Sequence, residues 1–213
     1  MSITDRTIVL AGATSASGLA VASALRDAGV RVVATGRSAE RLEPLKDVGA
    51  QVEVADATSL DDMTALASRL DSVDGVIPLV GGWRGGGGLA GQSDEDFRAL
   101  LPALAAVRAT SRAFDERLRA SDAGRFAIVS STAAGRPLAG GANYAAIKAA
   151  SEAWARAVAH GYAKAARDAG DPLRTASVVF RAKALDAASL TPALLSLWDA
   201  DAAELNDRII DLV

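Results

Sequence analysis

The chain has 213 residues, of which 50% are hydrophobic and 23% are charged, a composition typical of globular proteins. Its formal net charge of -3 gives no general attraction to nucleic acid or to an anionic membrane, so we expect a small-molecule partner and neither of those two. The chain has no cysteine and one histidine, which excludes disulfides, thiolate catalysis and cysteine-ligated metals, predicts no metal site and favours a cytoplasmic protein.

Short β-branched runs alternate along the chain with Ala-rich segments of helical period. They predict strands over 7–10, 31–35, 51–55, 75–80, 126–130, 175–179 and 208–212, and helices over 18–27, 39–48, 60–70, 94–120, 144–169 and 191–199. This alternation indicates parallel pairing, because a helix supplies the crossover between parallel strands. We therefore predict one α/β domain over 1–213: a doubly wound parallel sheet of about seven strands, with helices on both faces, as in a Rossmann fold.

Small residues connect the first predicted strand to the first predicted helix. Glycine lets a backbone approach a ligand closely, and unpaired N–H groups at a helix start attract anionic oxygens, so the segment is typical of a phosphate-binding turn. Gly12 would make the turn, and Gly18 would let the helix and strand close up. A plain tight connection looks similar, so both interpretations stay open at this point. Thr14, Ser15 and Ser17, together with these two glycines, break the apolar run of the uncharged segment 7–25, which argues against a membrane anchor.

A tyrosine and a lysine lie four positions apart on the predicted fifth helix. They are Tyr144 and Lys148, and Ser131 lies thirteen positions before Tyr144. Residues four apart share one face of a helix, so the Lys148 ammonium can lie near the Tyr144 ring. The pattern resembles the short-chain dehydrogenase/reductase family, which carries a Tyr-x-x-x-Lys pair on a long helix and a serine at the end of the preceding strand.

This resemblance implies an NAD(P)-dependent oxidoreductase that transfers a hydride between its cofactor and a carbonyl or alcohol substrate. Tyr144 would be the acid that delivers a proton to the substrate oxygen. Lys148 would stabilise the tyrosine phenolate by its charge, and Ser131 would donate a hydrogen bond to the developing oxyanion. Ser131 and Tyr144 would therefore both bind the substrate and take part in catalysis.

The resemblance also assigns cofactor contacts. Arg37 follows the second predicted strand, where an acidic residue would favour NAD and an arginine accepts the extra phosphate of NADP, so we expect NADPH to be preferred over NADH. Asp56 would contact the adenine, although a solvated turn aspartate is an equal alternative. The predicted cofactor-binding residues are Gly12, Thr14, Ser15, Ala16, Ser17, Gly18, Arg37, Asp56, Ala57, Gly81, Tyr144 and Lys148.

The chain departs from the family pattern at several positions. Ala16 stands for the middle glycine of the turn, and Leu104 aligns with the helix asparagine that the family uses in a proton relay. The family's Asn-Ala-Gly and Pro-Gly segments are Leu79-Val80-Gly81 and Phe180-Arg181. These changes put the relay in doubt and leave a second hypothesis open, a non-catalytic NAD(P)-binding sensor or scaffold.

Residues 81–88, after the fourth predicted strand, are rich in glycine and are expected to form a mobile loop. This loop contains Trp83. It is similar to a Gly-Gly-Trp-x-Gly-Gly stretch of dihydropteridine reductases, so a flat, pterin-like substrate stacked on Trp83 is an alternative to a simpler carbonyl compound. A plain anchor for the loop is the other interpretation of Trp83. The small alanines of helices 94–120 and 144–169, together with the resemblance, predict a homodimer or homotetramer built through both helices.

Overall fold

In the computed structural model, which describes residues 2–183 and 186–212, seven strands form one parallel sheet. Their order across the sheet is β3-β2-β1-β4-β5-β6-β7. Because β1 pairs with β2 on one side and with β4 on the other, the winding reverses at β1. Ligands of such sheets bind at the carboxyl ends of the strands beside the reversal. The strands are β1 (Thr7–Ala11), β2 (Arg31–Gly36), β3 (Gln51–Val54), β4 (Gly75–Pro78), β5 (Arg125–Ser131), β6 (Ala176–Ala182) and β7 (Arg208–Asp211).

Helices cover both faces of the sheet and enclose two apolar cores. Leu25, Leu45 and Leu194 belong to one core, beneath α1, α2 and α7, whereas Met63 and Tyr162 belong to the other, beneath α3, α4 and α6. The predicted α/β Rossmann fold is thus confirmed. The helices are α1 (Ala16–Asp27), α2 (Ala39–Asp47), α3 (Leu60–Arg69), α4 (Asp94–Ala113), α5 (Asp115–Ala120), α6 (Ala142–Ala169), α7 (Ala187–Leu195) and α8 (Ala202–Leu205).

Serine caps fix where the early helices begin. The side chains of Ser15, Ser38, Ser59 and Ser93 each accept a hydrogen bond from a backbone N–H in the first turn of α1, α2, α3 and α4. Such a cap satisfies a donor that has no partner inside the helix. Within the described ranges, no helix is both long and apolar enough to cross a membrane.

The structure differs from the predicted elements in several places, among them the unpredicted short helix α8 and the end of β6 at Ala182 rather than at 179. The predicted helix 94–120 is two helices, because Phe114, fully buried, leaves the helical conformation between α4 and α5. Strand β4 ends at Pro78, earlier than predicted, and proline lacks the N–H that would continue a ladder. Helix α7 begins at Ala187, before the predicted position, with Asp186 as its cap.

Candidate active site

A cleft of about 1310 Å³ opens at the carboxyl ends of β1, β4, β5 and β6. It lies beside the reversal of the winding, where this sheet type binds its ligands. Its lining includes seven of the residues that the sequence pattern assigns to the site: Ser15, Ser17, Gly81, Trp83, Ser131, Tyr144 and Lys148. The other assigned residues, Gly12, Thr14, Ala16, Gly18, Arg37, Asp56 and Ala57, are not part of that lining.

Ser131, Tyr144 and Lys148 come together on one side of this cleft. Ser131 is the last residue of β5, and its Oγ accepts a hydrogen bond of 3.2 Å from the Ala133 backbone N–H. That contact uses an oxygen lone pair and leaves the Ser131 hydroxyl proton available to a ligand. Tyr144 and Lys148 lie one turn apart on α6, with the Lys148 Nζ 5.7 Å from the centre of the Tyr144 ring. The three side chains can therefore act on one bound molecule.

The Lys148 ammonium is held at the wall of the cleft, where its side chain is partly buried. Its Nζ donates a 2.8 Å hydrogen bond to the backbone carbonyl of Val129, in β5. Burial lowers the pKa of Lys148 to about 8, because the charged form loses solvation, while the negative charge of Glu152 acts in the opposite direction. Lys148 is thus mostly a cation at neutral pH and loses its proton at slightly higher pH.

Glu152, one turn beyond Lys148 on α6, is the centre of a polar cluster. Arg181 binds both of its carboxylate oxygens, at 2.8 and 2.6 Å, and Ser130 donates a third hydrogen bond of 2.6 Å. Ser130 and Arg181 are paired neighbours on β5 and β6, so both reach the same carboxylate. Burial alone would raise the pKa of Glu152, but the bonds from Arg181 and Ser130 outweigh it and lower that pKa. The cluster keeps a negative charge next to Lys148.

Packing explains the two glycines of the turn between β1 and α1. Gly12 has a positive φ of 79°, and a Cβ there would lie 2.4 Å from Cγ2 of Val80. A Cβ on Gly18 would lie 2.2 Å from the backbone oxygen of Ala13. Both positions therefore exclude any larger residue, whether or not a ligand is bound. The turn brings Ser15 and Ser17, at the start of α1, to the cleft.

Two arginines lie at the carboxyl end of β2. Arg37 is exposed directly after the strand, as predicted. Arg41, in the first turn of α2, extends toward the turn before α1, and its Nη2 donates a 3.3 Å hydrogen bond to the carbonyl of Thr14. Both are positively charged groups beside the predicted phosphate-binding turn.

Asp56 and Ala57 follow β3. The Asp56 carboxylate accepts hydrogen bonds from the backbone N–H and the hydroxyl of Thr58, at 2.9 and 2.8 Å, and Ala57 is buried. This local turn is the alternative that the sequence leaves open for Asp56. One of its carboxylate oxygens, Oδ2, forms no hydrogen bond with the described part of the chain.

The glycine-rich loop after β4 is tied to the start of α6. The Gly86 N–H donates to the Gly140 carbonyl at 2.7 Å, and the Gln92 side chain donates to the same carbonyl at 3.0 Å. Gln92 also accepts a 3.1 Å hydrogen bond from the Asn143 N–H, one residue before Tyr144. The loop that carries Trp83 is thereby joined to the helix that carries Tyr144.

A family model described as short chain dehydrogenase matches residues 6–166, more than half of the chain. The chain belongs to the short-chain dehydrogenase family. No curated protein matches it.

Solved structures of similar fold accompany that match. A short chain dehydrogenase from Salmonella enterica serovar Typhi CT18 is 19% identical, with a TM-score of 0.84 over 98% of this chain and 96% of that chain. A Shigella flexneri 2a str. 301 protein complexed with NADP is 20% identical, with a TM-score of 0.84 over 99% and 98%. An Escherichia coli CFT073 protein complexed with NADPH is 21% identical, with a TM-score of 0.83 over 99% and 97%.

Three of the residues at which this short-chain dehydrogenase departs from the family pattern take part in packing or in an ion pair. Leu104 packs with Leu100, Ala103 and Ile147 in a small apolar cluster that Tyr144 also contacts. It offers no polar group to pass a proton. Phe180 is buried in a core, and its neighbour Arg181 is the partner of Glu152.

The sequence pattern does not predict Glu152, Arg41 or Gln92 as parts of this site. The signal for Glu152 is its position four residues after Lys148, on the same face of α6. Arg41 has no such signal, because Arg37 precedes α2 and the two arginines do not share a helix face. Gln92 has no such signal, because its contacts join segments about fifty residues apart in the chain.

Proposed function

We propose that this chain is an NADPH-dependent oxidoreductase that interconverts a carbonyl compound and its alcohol in the cleft. The observation that carries the proposal is the meeting of Ser131, Tyr144 and the partly buried Lys148 cation at one side of the cleft. The net reaction converts one carbonyl compound, one reduced cofactor and one proton into one alcohol and one oxidised cofactor.

The polar groups along the cleft and beyond it fit NADP. Ser15, Ser17 and the N–H groups at the start of α1 would bind the pyrophosphate, and Arg37 with Arg41 would bind the extra phosphate of the adenosine ribose. The free carboxylate oxygen of Asp56 would accept from the adenine. The NADP and NADPH complexes of the similar structures support this choice. When bound, the cofactor supplies or accepts the hydride.

The chain's own groups would manage the charge on the substrate oxygen. Tyr144 would donate its phenolic proton to that oxygen, and the Lys148 cation would stabilise the phenolate that remains. Ser131 would hold the oxygen with a hydrogen bond from its unused hydroxyl proton. Because Leu104 is apolar, Tyr144 would be reprotonated through Lys148 and solvent in the cleft, so we expect modest turnover.

The second candidate is a sensor or scaffold that binds NAD(P) without catalysis, and the apolar Leu104 beside Tyr144 is the observation in its favour. NADPH oxidation measured against ketones, aldehydes, quinones and pterins separates the two. Turnover of at least one class supports the enzyme. NADPH binding without turnover of any class would favour the sensor. Turnover of pterins alone would select the pterin-like alternative that Trp83 suggests.

A further inference from the structure

The charged side chains that line the described part of the cleft are all cations. They are Arg136, Lys148 and Lys183, and no aspartate or glutamate of the described residues joins them. Lys148 already has a role beside Tyr144. The side chains of Arg136 and Lys183 are exposed and make no hydrogen bond or ion pair with any described residue. Within the described residues, no ion pair neutralises the positive charges of Arg136 and Lys183 in the cleft.

The sheet order separates Arg136 from the proposed cofactor phosphates. The phosphate-binding turn follows β1, whereas Arg136 follows β5, and β4 lies between these strands. Neighbouring strands are about 4.8 Å apart, so the ends of β1 and β5 lie roughly 10 Å apart across the sheet. Lys183 follows β6, farther still from the turn. A negative charge on a second ligand, rather than on NADP, is the natural partner of Arg136.

Exposed apolar side chains lie at the same end of the cleft. Trp83 is 61% exposed and Leu138 is 77% exposed, and both line the cleft. Their two loops are joined where Gly86 donates to Gly140. Large apolar groups at a cleft mouth are stabilised when a flat apolar ligand covers them, and a tryptophan ring favours an aromatic one.

We propose that the substrate is a carbonyl compound with an aromatic body and a carboxylate, an inference that rests on the proposed function. Arg136 binds the carboxylate, because a guanidinium offers two parallel donors that match its two oxygens. The aromatic body lies between Trp83 and Leu138. This arrangement directs the reacting carbonyl toward Ser131 and Tyr144, with Arg136 as the residue that determines specificity.

Calorimetry with a matched pair of ligands tests the binding claim without turnover. We expect 4-acetylbenzoate to bind the NADP-saturated protein about ten-fold more tightly than 4-acetylbenzamide, since a hydrogen bond to a charged group contributes about 1.5 kcal/mol or more. Arg136→Gln should remove this advantage and leave the amide affinity unchanged. Arg167→Gln, an exposed arginine near the end of α6, is the matched control and should keep it.

The same pair is then compared as substrates for NADPH oxidation. We expect kcat/KM to favour the carboxylate about ten-fold, mainly through KM, and Arg136→Gln to abolish the preference. Equal binding of the pair, no binding of either, or a preference that persists in Arg136→Gln overturns the inference, while any turnover leaves the proposed function standing. Carboxylate-selective binding without turnover of any ketone would instead contradict the proposed function and retain Arg136 as an anion site.

Discussion

Glu152 and Arg181 form a two-point ion pair directly behind Lys148, with nitrogen to oxygen distances of 2.8 and 2.6 Å. The pair joins α6 to β6, and Ser130 adds β5 through its bond to the same carboxylate. The elements that carry Ser131, Tyr144 and Lys148 are thus bound to one buried negative charge. This charge favours the protonated form of Lys148 and opposes the effect of burial.

Glu152→Gln should make Lys148 lose its proton at a lower pH. The variant removes the negative charge that opposes the effect of burial, so the pKa of Lys148 should fall below about 8. The alkaline limb of kcat/KM, which would report loss of the Lys148 cation, should therefore move to lower pH. Ser130→Ala keeps the ion pair and should move the limb much less. If the alkaline limb of Glu152→Gln equals that of the wild type, this cluster does not control the pKa of Lys148.

Arg37→Ala should weaken NADPH binding and leave NADH binding unchanged. A charge-assisted contact with the extra phosphate contributes about 1.5 to 3 kcal/mol, which corresponds to roughly one to two decades in Kd. Arg41→Ala should act in the same direction, with an added loss from its bond to Thr14. Fluorescence titration with both cofactors measures the effect, and Arg167→Ala is the control. If Arg37→Ala keeps the full preference for NADPH, Arg37 does not bind the extra phosphate.

Arg125→Met should destabilise the fold without touching the cleft. Arg125 is 2% exposed and donates to four backbone carbonyls, those of Gly124, Arg174, Leu197 and Ala200. Burial lowers its pKa to about 10, so it remains charged at neutral pH. Loss of these hydrogen bonds should lower the free energy of unfolding by about 3 kcal/mol, measured by urea denaturation. Arg174→Met, which changes an exposed side chain, should lower the free energy of unfolding little. Equal stability of the two variants would contradict the structural role of Arg125.

A homodimer or homotetramer built through α4 and α6 remains a prediction. Phe97 and Leu101, one turn apart on α4, are each 38% exposed, as apolar residues of an unpaired helix face would be. Phe97→Glu should convert a dimer into a species of one chain mass, 21.7 kDa, in sedimentation velocity. Val54→Glu, on the edge strand β3, is the control. A wild-type protein that sediments as a monomer at micromolar concentration would contradict the prediction.

Sequence patterns predicted those parts of the fold that depend on residues close together in the chain. The β-branched runs predicted the strands. The Tyr144 and Lys148 pair indicated the candidate site through its resemblance to the family, and helix geometry explains why two residues four apart share one face. The break at Phe114 depends on burial of its ring in the core, which no local pattern contains. The contacts of Glu152 with Arg181, 29 residues apart, depend in the same way on how β5, α6 and β6 pack.

Tyr144→Phe tests the central claim most directly. The variant keeps the ring and its packing but removes the phenolic proton, while Lys148 and the turn that would bind the cofactor stay in place. NADPH oxidation with the best ketone of the panel should fall by about two to four decades, and NADPH affinity, measured by fluorescence, should change little. Turnover equal to that of the wild type would show that Tyr144 delivers no proton and would contradict the proposed mechanism.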